Sequence, residues 1–368
     1  MGLMLLIVSM VFVQAPFPTG VYWAGEYSYN NDPRRWELID ADLQTLKTAG
    51  VNTIWITHLS SGETATFARQ ADRFGMRVVA AVADLDVAGD AQWWKRDPAY
   101  YTTTIPAVLS DWGMAPRPLA WCLGDEPDRS LAGDYAEYLS AWNALAPNEP
   151  TCVVVTRGNV LTFGGLGFDA VTNDTYPFTV PGTGGYPDGP ISAWLTTCWD
   201  NVVWSPTAWS MAQGFSKPNV WRVPTPAEMR WQLYSAVALG SRGVFTFAWS
   251  PGDNLEGLST LDDLPETFSA MSQVYRRLGR WSSRLANMTD RLVTFDVVSG
   301  TVIATGRDAQ NRALILTVAG PDADARLTVK TTTSVFKNVD ALEWVVAREG
   351  SIVVDVPAGQ AKFWVGSR

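Results

Sequence analysis

The chain has 368 residues, 47% of them hydrophobic and 18% charged, so apolar burial can offset the entropy of ordering it; fibrous and disordered classes are excluded. This length exceeds one ordinary core and implies a large domain with a smaller one, or two comparable domains. A formal charge of -9 without a basic cluster excludes a phosphate-backbone partner, so no nucleic acid is expected.

In chain order, the apolar run Leu3 to Val13 comes first, ending near Gln14-Ala15-Pro16. It is too short for an ordinary spanning helix and suits a signal-peptide core, so residues 1–17 are set apart and the protein is expected to be secreted, periplasmic or held at the cell surface. No Lys or Arg precedes the run, which leaves open an uncleaved anchor or a strand packed on the folded body.

From Gly20 to Trp249 short apolar runs alternate with amphipathic stretches, the mark of β-α units around a parallel sheet. Gly20 to Ala24 reads as the first strand. Asp32-Pro33 then opens a helix with Trp36, Ile39, Leu43 and Leu46 on one face, and Gly50 stops it. Val51 to Thr57 and Arg77 to Ala83 are the next strands, with Phe67, Ala71 and Phe74 facing inward from the helix between them. Helices around Tyr100 to Trp112 and Tyr135 to Leu145 flank a fourth strand, Leu119 to Leu123. Cys152 to Val155, Phe168 to Thr172, Ala208 to Ala212 and Val244 to Trp249 complete eight strands, the glycine-rich Gly158 to Gly167 marking a degenerate fifth helix. Residues 18–285 therefore predict a (β/α)8 TIM barrel, an α/β fold. After a helix around Glu266 to Leu285 only strands follow: Leu292 to Val298, Val302 to Thr305, Ala313 to Val318, Leu327 to Lys330, Leu342 to Val346, Ile352 to Val356 and Ala361 to Val365. Residues 286–368 are expected to form a C-terminal β-sandwich.

In such barrels reactive groups collect where the strands end at their C-termini. The candidates there are Glu26, His58, the pair Asp84 and Asp86, Asp125 with Glu126, Asp174 with Tyr176, Gln213, and Trp249 with Asp253. Three cysteines without a C-x-x-C pair read as buried small residues, and one histidine makes an imidazole-based metal site improbable. With no Gly-rich phosphate loop, no metal and no cofactor are expected. Carboxylates and aromatics dominate the rim, which fits glycosidic bond cleavage by a proton donor and a second carboxylate. Eighteen tryptophans supply flat apolar faces suited to sugars, and Trp23, Trp55 and Trp249 are the strand-end ones placed for stacking. A carbohydrate is the expected substrate or ligand.

The fourth strand, Leu119-Ala120-Trp121-Cys122-Leu123-Gly124-Asp125-Glu126-Pro127, resembles that of the clan A glycoside hydrolases. Asp174-Thr175-Tyr176-Pro177 at strand six and Arg242-Gly243-Val244-Phe245 before strand eight are similar to the same group, so the likeness spans most of the barrel through short motifs. It implies Glu126 as general acid/base and Asp125 as a contact to a sugar hydroxyl; strand-end position, independently of the resemblance, makes Asp174, Glu26, His58, Asp84, Asp86, Tyr176 and Gln213 candidates around the substrate. The sequence departs from the pattern at strand seven, where Gln213 stands at the position of the nucleophilic glutamate and cannot form a glycosyl ester. Another carboxylate such as Asp174, Glu26 or Asp253 could serve, the reaction could invert, or the barrel could bind glycan without cutting it. Glu228, within Thr225-Pro226-Ala227-Glu228, has a structural account as a capping box.

Overall fold

The computed structural model describes residues 17–23, 29, 32–57, 59–81, 99–205, 207–250 and 257–367. Eight parallel strands close into a barrel in sequential order: β1 (Thr19–Trp23), β2 (Thr53–Thr57), β3 (Arg77–Ala81), β4 (Ala120–Asp125), β5 (Thr151–Thr156), β6 (Ala170–Asp174), β7 (Ala208–Gln213) and β8 (Gly243–Trp249). Between and after them run α1 (Arg35–Thr48), α2 (Ser61–Arg73), α3 (Ala99–Trp112), α4 (Ala132–Leu145), α5 (Val160–Gly164), α6 (Gly189–Trp204), α7 (Pro226–Leu239) and α8 (Pro265–Ala286). The degenerate fifth helix is a single short turn, as its glycines predict.

Local chemistry explains the boundaries. Ser60 and Glu63 bond reciprocally at the start of α2. Thr225 and Glu228 form a full capping box on α7, and Glu228 is also paired with Arg222, so its role is structural. Strand alternation sends one set of side chains inward and the other against the helices. The inward set stacks an aromatic plug low in the barrel, with Trp55 5.3 Å from Phe245 and Trp209 5.4 Å from the same ring. A Cβ at position 20 would overlap the Phe245 ring, which is why β1 carries glycine there. Above the plug lie Tyr22, whose hydroxyl meets Thr57 Oγ1 at 2.8 Å, and Met211 of β7. The interior is a packed core, so chemistry is confined to the rim.

Eight strands follow the barrel: β9 (Thr289–Phe295), β10 (Val302–Arg307), β11 (Ala313–Val318), β12 (Ala325–Lys330), β13 (Val335–Asn338), β14 (Trp344–Val346), β15 (Ser351–Val356) and β16 (Ala361–Gly366). Six form one sheet in the order β14-β13-β16-β11-β10-β9, and β12 pairs with β15 in a second. Ile315, Phe336 and Trp364 of the first sheet pack with Val329, Ile352 and Val354 of the second, which makes the sandwich core. The sequence pattern omits β13, a four-residue strand too short to show alternation.

The sandwich is fastened to α7 and α8. Arg277 and Arg280 of α8 pair with Asp340 at 2.9 and 3.1 Å, and the Trp281 indole donates to the same carboxylate at 3.0 Å. The Trp231 indole of α7 donates to Gly300 O at 2.8 Å, and the rings of Trp281 and Phe363 lie 5.2 Å apart. Among the described residues no helix is long and apolar enough to cross a membrane.

Candidate active site

The ends of β4 and β6 build the centre of the barrel mouth. A register irregularity between Cys122 and Asp125 alters the alternation along β4, and the Glu126 N–H then donates to Val154 O of β5 at 3.0 Å. Glu126 takes a left-handed backbone, φ 46°, which for a non-glycine residue costs energy and is held by that bond and by neighbouring packing. Gly124 permits the approach, because a Cβ there would overlap Tyr135 of α4. Asp174 ends β6 opposite Thr156 of β5, which leaves its carboxyl in direct contact with that of Glu126.

Electrostatics single out this pair. Burial, with the negative charges of Glu126 and Asp125 beside it, raises the Asp174 carboxyl well above the ordinary carboxylate range. Partial loss of hydration raises Glu126 too, opposed by the hydrogen bond it receives from Asp174. Asp174, the more enclosed member, is thus the harder of the two to ionise, while Glu126 opens to the mouth. One buried Asp174 oxygen, Oδ1, lacks a partner of good geometry. Tyr176 approaches Asp174 as well, and burial next to these acids keeps its phenol protonated.

Aromatic rings form one wall beside the pair. Tyr176 lies 4.7 Å from Phe215, 5.6 Å from Phe247 and 6.1 Å from Trp221, centroid to centroid. Tyr186, in the segment after β6, completes the surroundings: burial and the charges of Asp174 and Glu126 raise its pKa. Arg157, immediately after β5, lies over the Tyr186 ring at 5.5 Å and makes two bonds to Asp188 at 2.8 and 2.6 Å. This arrangement can hold and release one proton next to a sugar-sized apolar wall.

Of the sequence candidates, Asp125, Glu126, Asp174 and Tyr176 come together. Glu26, His58, Asp84, Asp86 and Asp253 lie outside the described residues. Four expectations are corrected. Trp23 is 0% exposed and packs on Phe67 of α2, because Tyr22 faces inward and alternation turns the next residue outward. Trp55 is 1% exposed and belongs to the low aromatic plug, where no ligand reaches it. Trp249 is 7% exposed and packs on Phe268 of α8 at 5.2 Å, so stacking on a sugar falls to none of the three. Gln213, expected at the substrate, is fully buried: its Oε1 accepts from Phe178 N at 2.9 Å, and its Nε2 faces the carbonyls of Phe178, Phe215 and Arg222 at 3.2, 3.3 and 3.0 Å. A glutamate could not donate to those carbonyls, so the amide is what this corner requires.

Asp174 interacts directly with Glu126, a position from which it raises or lowers that acid's hold on its proton. Sequence reasoning missed Tyr186, Trp221 and Phe247. Arg157 carried a signal, since it directly follows a strand end, whereas Tyr186 sits in a long connection with no local pattern.

Comparison with solved structures places the architecture. An alpha-amylase from Geobacillus thermoleovorans, complexed with acarbose, superposes with a TM-score of 0.62 at 10% identity over 95% of this chain and 98% of that one. The barrel and its C-terminal sheet domain are a fold shared with this enzyme. A maltogenic alpha-amylase from Thermotoga neapolitana (TM-score 0.58, 11% identity, 95% and 99% covered) and alpha-galactosidase I from Mortierella vinacea (0.59, 11%, 95% and 96%) are similar over the same extent. No protein-family model and no curated protein matches the sequence. The resemblance drawn from strand four thus holds for the barrel and its C-terminal sheet domain, at identities that speak for the fold alone.

Proposed function

We propose that the protein hydrolyses a glycosidic bond in an oligo- or polysaccharide, with Glu126 as general acid/base. The observation that carries this reading is the pairing of Glu126 with Asp174, both raised above the ordinary carboxylate range by burial, at the rim of a barrel whose solved neighbours are glycosidases. A proton held above the ordinary carboxylate range remains available near neutral pH, as protonation of a leaving-group oxygen requires. Glu126, the more open member, delivers it, and Asp174 with Tyr176 governs its affinity. Asp125 and the Tyr176–Trp221 wall are the substrate contacts. For the second carboxylate of the reaction the sequence offers Glu26 and Asp253, which lie outside the described residues. The apolar run Leu3 to Val13 supports an exported protein, which cell fractionation with and without that run tests.

The buried amide of Gln213 favours a second reading, a barrel that binds glycan without cleaving it, because β7 brings no carboxylate to the mouth. A panel of oligosaccharides assayed with wild type, Glu126→Gln and Asp174→Asn separates the two. Hydrolysis reduced about 100-fold or more by Glu126→Gln is expected. Asp174→Asn is expected to move the alkaline limb of the pH profile downward, since the variant keeps a hydrogen-bond donor to Glu126 and loses the second protonatable carboxyl, the one held highest. Turnover unchanged in Glu126→Gln refutes the assignment, and binding without turnover in wild type establishes the second reading.

A further inference from the structure

A second site lies at the junction of α8 and the sandwich, sharing no residue with the barrel rim. A cavity of about 450 Å3 opens there, within the range of small-molecule sites. Four cations line it, Arg280, Arg284, Arg312 and Lys337, and no carboxylate does, in a chain whose formal charge is -9. Two of the four are neutralised from behind: Arg280 by Asp340 at 3.1 Å and Arg312 by Asp308 at 2.6 Å. The other two are not. Among the described residues Arg284 makes no ion pair or hydrogen bond, and its Nε is buried without a partner. Among the described residues Lys337 Nζ makes no ion pair and lies 5.5 Å from the Trp344 ring centroid.

An unmatched guanidinium nitrogen away from water is costly and is relieved by an acceptor anion; the planar fork of Arg fits a carboxylate in particular. A bare anion would account for the cations and leave the rest of the wall unexplained. Trp344 is 58% exposed, a large aromatic surface turned to solvent, and Val339 and Val365 extend the apolar lining. Carboxylate recognition beside an aromatic platform is the pattern that suits a pyranose with an acid group, whose C–H face stacks while its carboxylate pairs.

We propose that this cleft binds an acidic glycan, a chain bearing uronate residues, independently of the chemistry at the barrel mouth. Arg284 and Lys337 take the carboxylate, and Trp344 takes the ring face. The test is calorimetric titration of the full chain with tetragalacturonate, with maltotetraose as the neutral counterpart and sodium sulfate as the bare anion. Tetragalacturonate is expected to bind, and Arg284→Gln and Trp344→Ala each to weaken it at least tenfold. Lys337→Gln, at an exposed strand position, is expected to weaken it at least threefold and to leave the unfolding midpoint unchanged. Raised salt should reduce the affinity further. Four results overturn the proposal: no binding to the wild type, binding unchanged by all three substitutions, equal binding of maltotetraose, or sulfate displacing the tetramer at equal concentration.

Discussion

Asp42 is a carboxyl on the core-facing side of α1, 9% exposed. Tyr29 Oη donates to its Oδ2 at 3.1 Å, and the indole N–H groups of Trp23 and Trp249 point at it in looser contacts that miss good hydrogen-bond geometry. The residue thereby ties α1 to the ends of β1 and β8, at the edge of the mouth. Burial pushes its pKa from 3.8 up to about 6, against the opposing effect of those donors. The folded state binds this proton more tightly than the unfolded chain, so the stability it contributes is full below about pH 4 and is lost as pH rises through about 6. A displacement of about two pH units is worth roughly 3 kcal/mol. Asp42→Asn keeps the size and one acceptor oxygen and removes the titration. The unfolding free energy of the variant minus that of the wild type is therefore expected to rise by about 2 to 3 kcal/mol between pH 4 and 7 and then level off. Urea unfolding followed by tryptophan fluorescence at successive pH values measures it. A difference that stays constant across the window refutes the reasoning.

Three further outcomes follow from the packing. Gln213→Glu sets a carboxylate against three carbonyl oxygens; it is expected to cost about 3 kcal/mol in chemical denaturation and to restore no hydrolysis, and a stable, newly active variant contradicts the clamp. Asp340→Ala strips Arg277, Arg280 and Trp281 of their common acceptor and should lower stability by about 3 kcal/mol; a calorimetric loss under about 1 kcal/mol would show that the junction does not depend on it. Cys122, Cys152 and Cys198 are free and buried, contact with Cys152 and burial raise Cys122, and burial pushes Cys198 up to about 12. A thiol reagent is expected to modify them at the rate of unfolding, and fast reaction of the native protein at any one disproves that burial.

The two architectures were legible because each rests on a local periodicity. Alternating strand and helix patterns from Gly20 to Trp249 need a closed parallel sheet to bury both faces of every strand, and the strands after Ala286 show no helix between them. Asp125-Glu126 and Asp174-Thr175-Tyr176 were legible for a related reason: a strand's last residue stands at the rim whatever the rest of the barrel does. Trp23, Trp55 and Trp249 failed the same rule because rim position and side-chain direction are different properties. Inward or outward is set by the register and twist of the closed sheet, which one strand's composition does not carry.

The amino-acid sequence determined the order of elements, the capping of α2 and α7, and the presence of two acids where two strands end, since those depend on residues a few positions apart. Tertiary structure alone decided that Glu126 meets Asp174 across β5, that Gln213 is locked by carbonyls from Phe178, Phe215 and Arg222, and that Arg284 and Trp344 share one cleft. Desolvation and charge coupling act through space over a few ångströms, and only closure of the barrel and docking of the sandwich bring residues as far apart in the chain as Glu126 and Asp174, or Arg284 and Trp344, within that reach.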